Sequence, residues 1–160
     1  MPVPEELGLY LNDHLSGAAA GVDLIRRISG ELAGAADDLV ADVEVDRDFL
    51  RDLVKVLDIR EHAVKQAVSS FIERLGQLKM NRVVSGSERF ALLLEMEAMS
   101  MGIEGKRCLW QSLEVVVPAV PEVAEIDFAA LRMRAEDQQA RLEVHRRAVA
   151  AAAIGGSGAG

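Results

Sequence analysis

Apolar residues recur along this chain at three- and four-residue spacing in five separate stretches, which is the period of helices that each bury one face. The first stretch reads Leu7, Leu11, Leu15, Ala18, Val22 and Ile25. Pro4, Glu5 and Glu6 stand where a helix start favours them, Arg26 and Arg27 lie near the other end, and Gly30 is the expected stop. The second stripe, Leu39, Val43, Leu50, Leu53 and Leu57, follows so closely that the two helices should form an antiparallel pair. A third, shorter pattern runs through Val64, Ala67, Val68, Phe71, Ile72, Leu75 and Leu78; its spacing does not say whether it is a bundle member or a crossover. Residues 81–86 read as a loop, with Ser85 and Glu88 as a capping box for the fourth helix. That helix carries Leu92, Met96, Met99, Ile103, Trp110 and Leu113 before Pro118 and Pro121 stop it. The fifth opens at the N-cap Asp127 and shows Phe128, Leu131, Ala135, Gln138, Leu142, His145 and Val149 on its stripe.

These patterns predict an all-α fold, an antiparallel bundle of four to five helices. Residues 1–154 form its single domain, and residues 155–160 are a flexible Gly/Ser/Ala tail. Half of the 160 residues are apolar and only 4% are aromatic, so the core is aliphatic and suited to close helix packing. Gly17 and Gly21 on the first helix and Gly102 and Gly105 on the fourth weaken their helices by about 1 kcal/mol each, unless packing compensates. A close contact between these two small faces is therefore expected.

Charge narrows the possible partners. The net charge of −8 opposes phosphate binding, so no nucleic-acid partner is expected. Residues 31–58 hold nine acids against Arg47, Arg51 and Lys55, which makes this helix a solvated face or a docking surface for a basic protein. The acidic first residues do not read as a secretory signal, and no apolar run is long enough to span a bilayer. With Cys108 as the single cysteine, these features predict a cytoplasmic protein without a membrane association.

Chemistry is sought where polar residues interrupt the apolar stripes. Asp46, Lys106, Gln138 and His145 do so, with His14 beside the first stripe and Glu95 beside the fourth. Buried polar groups are costly unless paired, so this set is expected to form a structural network or to hold a ligand. Met96, Met99 and Met101 invite a copper reading, but Met96 and Met99 lie on the apolar stripe, where methionine is an ordinary core filler. Cys108, late in its helix, lacks the setting of an activated thiolate. Lys79, Arg82 and Arg89 around Ser85–Ser87 offer a generic anion site.

The segments LYLNDHLSG (residues 9–17), ERLGQLKMNR (73–82), LLLEMEAMSMGIEGKRCLW (92–110) and RAEDQQARLEVHR (134–146) resemble an uncharacterised family of actinobacterial helical-bundle proteins with a ferritin-like cast. That resemblance implies long antiparallel helices, frequent oligomers and, in some members of the superfamily, two iron or manganese ions. The dinuclear site of the superfamily needs Glu-x-x-His pairs, and this chain has none: Glu61 adjoins His62, and Glu143 and His145 are two apart. No catalytic residue and no cofactor are expected, with iron or manganese as the alternative. The preferred expectation is a non-enzymatic bundle, a homo-oligomer or binder of another protein. The second is a degenerate ferritin-like protein that binds a metal or small ligand through His14, Asp46, Glu95, Lys106, Gln138 and His145.

Overall fold

The computed structural model describes residues 3–60, 73, 76–77 and 87–155. Among them there are four α-helices and no strand: α1 (Glu5–Glu31), α2 (Asp37–Val56), α3 (Glu88–Val116) and α4 (Phe128–Ile154). The third apolar pattern, residues 64–78, lies outside the described residues except for Glu73, Gly76 and Gln77, which are helical. Residues 156–160 of the expected tail also lie outside them. None of the described helices is long and apolar enough to cross a membrane.

Helix ends follow local chemistry, with two departures from expectation. Gly30 does not stop α1, which continues to Glu31. The exit comes at Ala33 and Gly34, both at positive φ, where Gly34 tolerates the left-handed backbone and donates its N–H to Ser29 O at 2.9 Å. Ser29 Oγ then donates to Asp37 Oδ1 at 2.6 Å, tying the turn to the start of α2. At α3, Ser87 rather than Ser85 carries the cap: its backbone is extended and its Oγ accepts from Phe90 N at 3.3 Å. Glu88 is thereby the first residue of α3, too early for the acid of a capping box. Asp127 caps α4 as expected, accepting from Ala130 N at 2.9 Å. Pro118 falls in the first of two 3-10 turns, Val117–Ala119 and Pro121–Val123, that separate α3 from α4.

The stripes of the four described helices meet in one core. All five apolar residues of the second stripe and all six of the fourth are buried, and Leu11, Val22 and Ile25 of the first join them. Trp110 is enclosed, with Phe49 edge-on at 5.8 Å and Phe128 stacked at 6.4 Å between ring centroids. Truncating a core side chain of this kind to alanine costs about 3–5 kcal/mol. Helix α1 packs on α2 and α3, and α4 packs on α3 and more lightly on α2.

Polar contacts mark the register. Along α1 and α2, Ser29 meets Asp37, Arg26 meets Glu44, and Asn12 donates to Arg60 O just beyond α2. Between α1 and α3, Arg27 meets Glu95 and Tyr10 meets Ser112. Between α2 and α4, Arg141 meets Asp38 and Arg134 meets Asp46; between α3 and α4, Arg146 meets Glu97 and Gln138 meets Lys106.

Candidate functional site

Three of the stripe-breaking residues come together. Asp46 on α2 is only 3% exposed, and Gln138 on α4 is fully enclosed. Lys106 Nζ donates to Asp46 Oδ2 at 2.5 Å and also to Gln138 Oε1. Gln138 Nε2 donates to the same Asp46 oxygen at 2.8 Å, while Arg134 donates to Asp46 Oδ1. One carboxylate thus receives three donors from two helices. Its two cationic partners, Lys106 and Arg134, compensate the charge that burial would otherwise make prohibitive.

Arg134 is a member of the cluster that the apolar stripes do not single out. The available signal is its position one turn before Gln138, since residues four apart share a helix face. It lies off the stripe because its long side chain reaches Asp46 from a partly exposed position.

Beside this cluster lies a cavity of about 370 Å³ between α1, α2 and α3. Its walls are mainly apolar or glycine: Ala18, Val43, Leu50, Met99, Ile103, Leu109 and Trp110, with Gly17, Gly21, Gly102 and Gly105. Asp13, His14, Asp46, Arg47 and Lys106 supply its polar groups. Gly17, Gly21 and Gly105 therefore do not make the expected close contact among the described residues. A Cβ at Gly17, Gly21 or Gly105 would meet no neighbour within 4 Å among the described residues, so the small faces of α1 and α3 leave a space where larger side chains would fill it.

Electrostatics follow from this geometry. Burial pulls the Lys106 ammonium down to about 7, against the opposing pull of Asp42. His14 is also lowered, by burial first and against the raising effect of Asp13. Its ring lies edge-on to Tyr10, 4.6 Å between centroids, on the α1 side of the cavity. Trp110 lines the same cavity, and its buried indole N–H meets no acceptor among the described residues.

The other expected site residues lie elsewhere. Glu95 is buried on α3 but pairs with Arg27 of α1 at 3.1 Å. His145 stands half-buried on α4, seven residues or about two turns beyond Gln138, and makes none of the contacts of the cluster. Met96 and Met99 are core residues while Met101 is exposed. Cys108 is exposed, its Sγ 3.6 Å from Glu104. Of the generic anion site, Lys79, Arg82, Ser85 and Gly86 lie outside the described residues. Among the described residues, no three His, Cys, Asp or Glu side chains gather as a metal site would require.

Compared with family models, curated proteins and solved structures, the chain matches none.

Proposed function

We propose that this chain is a non-enzymatic helical bundle that holds a small organic ligand in the cavity between α1, α2 and α3. The observation that carries this reading is the cavity itself. Its volume of about 370 Å³ falls at the lower end of small-molecule pockets, and it joins mainly apolar walls to a few polar groups. Four glycines on facing helices line the space, and Asp46 holds Lys106 at its wall.

The helices are read as running antiparallel in a ferritin-like connectivity. Support comes from the register of contacts: rising numbers on α1 meet falling numbers on α2 and α3, and the same holds for α4 against α2 and α3. Helices α2 and α3 then run in one direction, as do the two central helices of ferritin-like folds. Iron or manganese binding draws no comparable support from the donors near the cavity.

Association with itself or with a basic protein is less well supported. The acids of α2 are largely engaged within the chain: Asp38 and Asp42 by Arg141, Glu44 by Arg26, Asp48 by Arg47 and Arg51, and Asp52 by Lys55.

A panel of compact apolar alcohols, ketones and acids should shift the NMR resonances of cavity residues and raise the melting temperature. Filling the space with Gly105→Leu should remove both effects. Equal binding by the filled variant, or no binding by the native chain, would sink the proposal.

A further inference from the structure

Resting on that reading, we propose that Lys106 captures a carbonyl ligand, an aldehyde or ketone with a compact apolar body, as a reversible imine in this cavity. The amine is positioned for this by its two acceptors. Asp46 Oδ2 and Gln138 Oε1 each take one N–H, and a neutral amine has two N–H bonds and one lone pair. With both N–H groups engaged, the lone pair is the remaining function of Nζ, and Lys106 lines the cavity.

The surroundings favour the neutral form that the reaction needs. Lysines become nucleophilic when desolvated or placed next to another cation. Lys106 is largely shielded, its side chain 15% exposed, and shares its carboxylate with Arg134, so loss of its proton leaves Asp46 still held by Arg134 and Gln138. Burial accordingly lowers its pKa to about 7. In the reaction the Nζ lone pair adds to the carbonyl carbon, and the carbonyl oxygen leaves as water with the two amine protons. A carbon–nitrogen double bond remains. Proton uptake by the imine restores one N–H directed at Asp46, whose carboxylate serves as counter-ion.

Two independent features point to a ligand of this kind. One turn along α3, Trp110 brings a buried indole donor to the same cavity wall, and an oxygen elsewhere on the ligand would satisfy it. The glycines at 17, 21, 102 and 105 leave room for the ligand body beside the amine.

The test is reductive trapping on the full chain. Benzaldehyde and cyclohexanone are each incubated with the protein and cyanoborohydride at pH 7.5, followed by intact-mass measurement and peptide mapping. The chain has four lysines, Lys55, Lys65, Lys79 and Lys106. The expected result is one adduct per chain, at Lys106, formed at least about tenfold faster than at the exposed Lys55. Lys106→Arg should abolish it, and Gly105→Leu, which keeps the amine but fills the space, should suppress it about as strongly. Labelling confined to the α-amino group and Lys55, Lys65 or Lys79 would overturn the proposal, as would full labelling of Lys106 in the filled variant. Benzyl alcohol separates the two readings. If it binds in the cavity while no adduct forms, imine capture fails and the ligand site stands; if neither occurs, both fail.

Discussion

Helix α2 presents carboxylates in two settings that differ only in what surrounds them. On one side Asp38 and Asp42 reach Arg141, which also meets Asp137 of its own helix, and all of these side chains keep substantial contact with water. One turn beyond Asp42, Asp46 is enclosed, as is Gln138, while Lys106 and the partly exposed Arg134 reach its carboxylate from the margin. The residue type, the helix and even the partner helix α4 are shared. Water decides what each pair does: exposed pairs are screened and contribute little, whereas removal of one partner from an enclosed set leaves charges without compensation. The first arrangement accommodates an acidic surface. The second shapes the side of a cavity.

The comparison breaks most visibly at Asp46. Asp46→Ala should destabilise the fold by about 3–5 kcal/mol, because Lys106 and Gln138 lose a buried acceptor. Denaturant titration reads this directly, and a loss below about 1 kcal/mol would place Asp46 with its exposed neighbours.

The next largest effect is in pH. Lys106 titrates near 7 in the folded chain and near 10.5 when free, so between these values the unfolded chain binds more protons. Stability should therefore rise with pH, by about 2 kcal/mol from pH 7 to 9, and be flat below the folded value. Urea midpoints of the native chain relative to Lys106→Met isolate this contribution. A difference that falls with pH would show an ammonium stabilised by the fold rather than burdened by burial.

On the cavity side, Gly105→Ala should stabilise by about 1 kcal/mol, since alanine favours the helix and its methyl meets open space. Destabilisation in thermal melts would instead indicate the tight helix contact expected from composition.

The smallest effect belongs to the exposed side. Arg141→Gln should cost no more than about 1 kcal/mol, and most of that should vanish in 1 M salt. A larger loss that persists in salt would make the exposed ladder equivalent to the enclosed cluster.

Much of this contrast is legible in the periodicity of the chain. Asp46 stands out because the heptad rhythm of α2 demands an apolar residue there, and Lys106 and Gln138 break their stripes in the same way. His145 breaks its stripe too, yet its part of α4 lies beyond the cluster, so periodicity singles it out without placing a partner. Glu95 and Arg27 show the complementary difficulty: each has an ordinary position on its own helix, and only the packing of α1 on α3 makes them a pair. Arg134 escapes the pattern because a long side chain can reach inward from a residue that sits at the margin of the core.

The sequence by itself determined the helices, their buried faces and several of the polar residues that those faces must accommodate. These follow from local periodicity and capping, which act over a few residues. Tertiary structure alone decided that Asp46 would be shared by α3 and α4, and that the glycines of α1 and α3 would border a cavity. Both depend on the distance and rotation between helices, which are set by the summed packing of the whole core and are written in no single stretch of chain.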